Sequence, residues 1–550
     1  AALHHLVIAN SEMAQRAFSV LLVAVLLCNI VQAMYVWPFP ETYAPGTYSE
    51  AVDPTQFSIT TNSSSALLAR AIDRYQTSIL FPFGAGSPVS SSGTILVSLE
   101  ILVGDDSEEL QLGVDESYIL QILNPATAAT VTANTVWGAL RGLETFSQVV
   151  DWDDYTSQYS VNVLPLYVND APRFEWRGLM IDTARHYLLP STIYRTIDAM
   201  SYNKFNTLHW HCVDAESFPI QSDTYPDLTD GAWFPSATYS HDFILDIVSY
   251  AKDRGIRVVP EFDIPGHAYS WGAGYPNITT DCPDYNSNIN NVPLDPTIDF
   301  TWDVLNGFIP EIAALFDDKC FHVGGDEVIY SCWYDDPSVA AWMTANDMDA
   351  TGLLQYFEDN LAPIITGANK TAVVWEDLFD NGIQLDSSYI VEVWSEADTL
   401  QELINAGFRS ISAYGYYLND QEPLGEDVSE WVDTWQVFYG HDIMDGLTGS
   451  TATLDLVLGG EAAMWGEQVD SVNYDSRVWP RACGVIERLW SPSYVTDVDS
   501  ATTRLIEHRC RLARRGIGAG PVSPDYCSIP YTPYSCNGPT SADESVIGHR

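Results

Sequence analysis

The segment His322-Val323-Gly324-Gly325-Asp326-Glu327 places two adjacent carboxylates directly after an apolar run and a pair of glycines. Neighbouring side chains of a strand point to opposite faces, but Gly-Gly lets the backbone leave the strand abruptly, so Asp326 and Glu327 are free to face one space. Two crowded carboxylates do not both ionise easily, and one is held protonated to higher pH. A protonated acid beside an ionised carboxylate is what cleavage of a glycosidic bond needs. Further reactive or sugar-binding residue types recur along the chain: Asp182 and Arg185, Asp214, His267, Trp375, Trp394, Tyr417, and Trp465 with Glu467. Aromatic rings pack on the C–H faces of a sugar, while arginine and carboxylates fix its hydroxyls. The set contains no phosphate cradle and no close metal-ligand spacing, so it predicts a carbohydrate pocket with neither metal nor cofactor. Asp182 reads equally as a buttress for Arg185, and His209, His211 and Asp263 read as packing or supporting groups.

These residues share a position, because each follows a short apolar run of β type. The runs are Gly178–Thr183, Phe205–Val213, Ile256–Phe262, Cys320–Val323, Ala372–Trp375, Tyr389–Trp394, Ser410–Tyr414 and Leu456–Gly459. Eight runs alternating mainly with helical text predict an α/β fold, a (β/α)8 TIM barrel, whose chemistry sits at the C-terminal strand ends. The fifth and sixth runs are close together, so their crossover is expected to lack a full helix. A doubly wound open sheet is the competing architecture, but no G-x-G-x-x-G follows any run. Residues 34–172 read as a small α+β domain, with strands at Thr94–Val103 and Ser117–Ile122 and an amphipathic helix at Thr135–Val150. The turn-rich Asn169-Asp170-Ala171-Pro172 marks its end, leaving the catalytic barrel over 173–535 and a tail over 536–550.

The chain has 550 residues, 46% hydrophobic and 12% aromatic, enough to bury large cores and to exclude disorder for most of its length. Seventy-four Asp and Glu face 24 Lys and Arg, for a net charge of −50 and a pI near 4.1. Such a surface repels phosphate backbones and anionic lipid, which excludes nucleic-acid and membrane-surface roles and suits an acid compartment or high salt. Met13 to Ala33 has the three parts of a secretory signal: Arg16, the apolar run Val20–Cys28, and the small-residue site Val31-Gln32-Ala33. Residues 1–33 are therefore expected to be leader and signal peptide. The apolar run is too short to cross ~30 Å of hydrocarbon as an anchor. Sequons at Asn62, Asn277 and Asn369 fit a glycosylating secretory route, ending in secretion or in a lysosome or vacuole. With Cys28 in the signal, eight cysteines remain in an oxidising context. Cys212, Cys320 and Cys483 sit in apolar stretches as small hydrophobes, whereas Cys282, Cys332, Cys510 and Cys527 lie in loop or terminal surroundings and are the disulfide candidates.

Five stretches together resemble the β-N-acetylhexosaminidases of glycoside hydrolase family 20. They are RGLMIDTARHY at 177–187, LHWHCVD at 208–214, PEFDIPGH at 260–267, HVGGDE at 322–327 and GGEAAMWGE at 459–467. The resemblance covers nearly the whole mature chain and implies an exo-acting enzyme of substrate-assisted mechanism, an exception to the two-carboxylate scheme. By that resemblance Glu327 is the general acid and then the base, while Asp326 orients the 2-acetamido group and stabilises the oxazolinium charge. Tyr417 bonds the acetamido oxygen, Trp375, Trp394 and Trp465 wall the pocket, and Arg185 and Glu467 grip the terminal hydroxyls. Asp214 and His267 tune Glu327. The implied disulfides are Cys282–Cys332 and Cys510–Cys527. Members that accept sulfated sugars carry Asn then Arg after the tyrosine; here Asn419 is followed by Asp420. The implied partners are N-acetylhexosamine-terminated glycans, chitin oligosaccharides or glycoconjugates. Animal members are usually dimers, but nothing in the residues themselves assigns a homodimer here. Two other readings compete: a retaining glycosidase with its own carboxylate nucleophile, which would cleave plain glucosides, and an inert secreted sugar-binding protein, which would require a broken acid.

Overall fold

The computed structural model describes residues 35–87, 94–284, 287–419 and 434–529. The expected signal (1–33), the tail (536–550), Cys536 and Asp420 lie outside the described residues. Eight parallel strands close a barrel: β1 (Trp176–Asp182), β2 (Thr207–Val213), β3 (Arg257–Phe262), β4 (Cys320–His322), β5 (Thr371–Trp375), β6 (Ile390–Val393), β7 (Arg409–Ser412) and β8 (Val457–Met464), which pairs back onto β1. Apart from Thr371 and Arg409 at their starts, every strand residue is buried, because helices cover the outside and side chains fill the inside.

All eight expected runs overlap these strands. The eighth was expected to end at Gly459 but continues to Met464, with Ala462, Ala463 and Met464 paired to Leu179, Met180 and Ile181 of β1. Gly459 is a point of close approach rather than an end: a Cβ there would lie 1.9 Å from the carbonyl oxygen of Trp176.

Ahead of the barrel lies a mixed sheet in the spatial order Ser58–Thr61, Ser98–Asp105, Ala128–Thr135, Tyr118–Ile122, Gln158–Asp170, Thr42–Val52 and Ile95–Leu96, with Asp151–Asp153 paired to Gln158–Asp170. Helix α1 (Val136–Val149) is capped by the Thr135 hydroxyl, which accepts from the N–H of Gly138. Every residue of α1 is buried, since one face lies on the sheet and the other on the barrel. Arg141 of α1 donates to the carbonyls of Phe205 and Gly255 and pairs with Glu116, which also holds Arg177 at 2.6 Å. Lys204, with no exposed surface, pairs with Asp170 at 2.9 Å.

Between β4 and β5 runs the long helix α2 (Ala350–Gly367). The next crossover carries only the four-residue α3 (Asp377–Asp380), as the short spacing predicted. The C-terminal helix α4 (Val498–Arg514) returns to the first domain, and Arg515 after it pairs with Glu144 of α1 at 2.9 Å. Disulfides join Cys282 to Cys332 and Cys510 to Cys527, while Cys212, Cys320 and Cys483 are free and buried. No helix among the described residues is long and apolar enough to cross a membrane.

Candidate active site

A cavity of about 540 Å³ opens at the C-terminal ends of the barrel strands. Arg185, His267, Asp326, Glu327, Trp375, Trp394, Tyr417, Asn419, Trp465 and Glu467 line it. Asp214 stands behind Arg185 and His267, bonded to both. A second cavity lies between the first domain and α4, lined by Tyr35, Trp152 and Arg511 among others, and none of the residues of the five stretches reaches it. The barrel-end cavity is the one that gathers residues picked out from the sequence.

The Gly-Gly bend works as its sequence predicts. Gly324 and Gly325 take φ of +69° and +92°, and a Cβ on Gly324 would lie 1.9 Å from Asp263 Oδ1. Beyond the bend Asp326 is buried, whereas the Glu327 side chain is 57% exposed. The two carboxyls are held apart in proton affinity, but in the opposite sense to a simple acid–base reading of the empty pocket. Burial, with Asp263 adding its charge, pushes the Asp326 carboxyl well above the usual carboxylate range. The His267 imidazole, 3.3 Å away, holds Glu327 below it. Asp326 therefore holds a proton more tightly than Glu327 does.

His267 is the hinge of the acid side. Its Nε2 lies 3.3 Å from Glu327 Oε2 and 3.7 Å from Asp326 Oδ2, and its Nδ1 lies 3.1 Å from Asp214 Oδ1. Asp214 is held in turn by Arg185 at 2.8 Å and by His211 Nε2 at 2.8 Å. His211 Nδ1 meets Glu261, whose carboxylate also meets His209, and His209 meets Glu461 at 2.6 Å. Alternating carboxylates and imidazoles thus run from the barrel interior to the cavity floor. Clusters such as His209–Glu392–Glu461 bring three ligand atoms within 4.8 Å of one another, and the His209 ring nitrogens lie 2.9 Å from Glu261 and 2.6 Å from Glu461.

The walls are fixed from behind. Trp375 donates its indole N–H to Glu261 at 2.8 Å, and Trp394 donates to Asp377 at 2.8 Å. Trp465 lies 6.1 Å from Trp375 between ring centroids, with the Arg185 guanidinium 4.8 Å over its ring. Tyr417 faces Trp394 at 6.5 Å, and burial pushes its hydroxyl well above its ordinary range, so it stays a phenol able to donate. Asp182 does buttress Arg185: it pairs with the guanidinium at 3.1 Å and accepts the Arg185 main-chain N–H. Glu216 grips the same guanidinium at 3.2 Å.

Sequence reading passed over Glu216, Glu261, Glu376 and Asp377. Glu261 had a signal, an acid within the otherwise apolar stretch Val258–Phe262. Glu376 and Asp377 had one too, since they follow Trp375 at a strand end. The sequons Asn62, Asn277 and Asn369 are all exposed, although the Asn62 amide already donates to the carbonyl of Val103.

A closed parallel barrel with paired carboxylates, an arginine clamp and tryptophan walls at its strand ends defines a glycoside hydrolase of the TIM-barrel class. The model of "Glycosyl hydrolase family 20, catalytic domain" matches residues 174–493, and that of "beta-acetyl hexosaminidase like" matches residues 36–149. The chain belongs to glycosyl hydrolase family 20. It is similar to beta-hexosaminidase subunit A1 of Dictyostelium discoideum, at 44% identity over 93% of this chain and 94% of that one. It is also similar to beta-hexosaminidase subunit beta of Mus musculus, at 38% identity over 90% and 93%. Among solved structures it resembles a chitobiase of Flavobacterium johnsoniae, with a TM-score of 0.76 and 27% identity over 89% of this chain and 74% of that one.

Proposed function

We propose that the chain is an exo-acting β-N-acetylhexosaminidase, removing terminal N-acetylglucosamine or N-acetylgalactosamine from glycans, chitin oligosaccharides or glycoconjugates, with residues 34–172 as a supporting domain and 173–535 as the catalyst. The observation that carries this reading is a buried acid, Asp326, beside a half-exposed one, Glu327, which is in contact with His267, in a cavity walled by Trp375, Trp394, Tyr417 and Trp465. Arg185 and Glu467 bind the hydroxyls of the terminal sugar and close the pocket at that end.

Substrate redistributes the two charges. An acetamido N–H donated to Asp326 favours its ionised form, and a leaving sugar laid over Glu327 removes water and favours its protonated form. The acetamido carbonyl oxygen then attacks C1 while Glu327 gives its proton to the departing oxygen. Tyr417 orients that carbonyl, and ionised Asp326 faces the positive oxazolinium ring. The nucleophile is already tethered to the reacting centre, which supplies it at high effective concentration. Glu327, now ionised, takes a proton from the water that opens the ring at C1, and the product keeps its configuration. Passage through a secretory route fits the two disulfides and the exposed sequons.

Turnover of chromogenic glycosides by the purified protein tests the reading. Cleavage of the N-acetylglucosaminide without cleavage of the plain glucoside is expected, because only the former carries the nucleophile. Glu327→Gln is expected to lose about 10²–10⁴-fold on poor leaving groups. Asp326→Asn is expected to lose about 10²–10³-fold. Near-normal turnover by either variant, or brisk glucoside cleavage, removes the assignment.

A further inference from the structure

Asp377 opens α3 two residues past the end of β5, and each of its carboxylate oxygens is engaged by a residue of the cavity. Oδ1 accepts the main-chain N–H of Glu327 at 3.0 Å, and Oδ2 accepts the indole N–H of Trp394 at 2.8 Å. Its neighbour Glu376 accepts the main-chain N–H groups of Trp394 and Ser395 through one oxygen, at 3.3 and 2.6 Å. Two consecutive carboxylates thus fasten together the ends of β4, β5 and β6. The fastening bears on Glu327 above all. Its φ of +47° lies in the left-handed region, which a residue other than glycine keeps only where its surroundings hold it. Gly324 and Gly325, just before it, give the chain no stiffness of their own. The half-exposed Glu327 side chain meets His267 at 3.3 Å, and the Asp377 carboxylate holds the main chain behind it.

We infer that Asp377 is a positioning residue for the reaction: by holding the Glu327 main chain it aims the acid at the leaving oxygen, and it ties that aim to the Trp394 ring on which the sugar packs. The inference rests on Glu327 being the general acid. A helix-opening aspartate with no such role would affect folding and every substrate alike. An aiming residue instead matters in proportion to how much the leaving group needs a proton, since a small misplacement of an acid costs rate only when proton transfer limits it.

The test compares kcat/KM for two N-acetylglucosaminides that share the sugar, one with a dinitrophenyl leaving group that departs without a proton, the other with an alkyl leaving group that requires one. Asp377→Asn, whose amide can accept only one of the two N–H groups, is expected to lose about tenfold to a hundredfold on the alkyl substrate and no more than about threefold on the aryl one. Trp394→Phe, which frees Oδ2 alone, is expected to show the same bias more weakly, and the double variant to show no more bias than Asp377→Asn. Equal losses on both substrates, no loss on either, or additive bias in the double variant overturns the inference. Should Asp377→Asn not fold, Trp394→Phe decides alone by the presence or absence of the bias. Glu327→Gln is the control. If it shows no leaving-group bias, the acid reading falls and the inference with it, whereas bias there and none at Asp377 overturns the inference by itself.

Discussion

Charge selectivity is set residue by residue in the pocket. Its cation, Arg185, is already shared among Asp182, Asp214 and Glu216, so it is not free to receive an anionic substituent. Asn419 lines the cavity, and the next residue in the chain is an aspartate, Asp420. We propose that the charge of Asp420 repels a sulfate on the outer edge of the sugar, by about 1–3 kcal/mol or roughly tenfold to a hundredfold in rate. We therefore expect lower kcat/KM on 6-sulfated than on neutral glycosides at low salt, and a narrower gap in Asp420→Arg. Equal efficiencies in the wild type would remove this role from Asp420. The residues that touch substrate on this reading were legible because each stands at the end of an apolar run and has a type that does chemistry. What was not legible is which carboxyl holds the proton. Adjacency shows that Asp326 and Glu327 compete, but what decides between them is the burial of Asp326, the charge of Asp263 and the His267 imidazole beside Glu327, all set by residues far away in sequence.

Among the elements, α2 carries a titratable group that the chemistry does not use. Glu358 is buried, and neither carboxylate oxygen has a hydrogen-bond partner among the described residues. Burial, with Asp359 adding its charge, pushes it up to about 8 from the model-peptide value of 4.5. A carboxyl raised in this way favours the folded state most below pH 4.5, and that contribution is lost as pH rises towards 8. Glu358→Met is expected to stabilise the protein by about 1–4 kcal/mol at pH 8 and by little at pH 5, read from urea unfolding at the two pH values. The same gain at both would mean that the glutamate finds a partner or water. Elements were legible in proportion to their burial. Barrel strands show as apolar runs because both faces are covered, whereas the first-domain strand Thr42–Val52 is mostly exposed, carries Pro45 and Gly46, and gave no alternation to read. β8 was read short because Gly459-Gly460 looks like a stop, and only the proximity of Trp176 shows why glycine belongs inside that strand.

For the whole molecule, folding gathers protons near neutral pH. Burial by itself would lower the imidazoles of His209, His211, His267 and His322, but the carboxylates around them outweigh it and raise all four, His209 to about 10. These groups stabilise the fold fully below about 6.5, and that stability is lost as pH rises through their folded values. Burial raises Asp263 and Glu392 to about 7, so their contribution also declines with rising pH until that point. The opposing imidazoles, His441 and His508, are lowered by burial and act only below about 6.5. From pH 6.5 to 8 these terms therefore slope one way, each proton taken up on folding being worth about 1.4 kcal/mol per pH unit. A melting temperature that falls across that window is expected from calorimetry; a flat or rising one would mean that the interior imidazoles are neutral. Such a protein is at its sturdiest in mild acid, the setting its net charge of −50 also favours.

The seam between the two halves of the molecule decides how the chain may be divided. Lys204 and Arg177 belong to the barrel, yet the carboxylates that neutralise them, Asp170 and Glu116, come from the preceding domain, in contacts almost sealed from water. A buried pair of this kind adds little net stability, but removing one member strands the other at about 3–5 kcal/mol. Cutting the chain at the seam would strand both cations together. The barrel is therefore not a portable cassette: recombination that exchanges catalytic barrels between relatives must carry the matching acids along, and the first domain is inherited with the catalyst as its counter-ion.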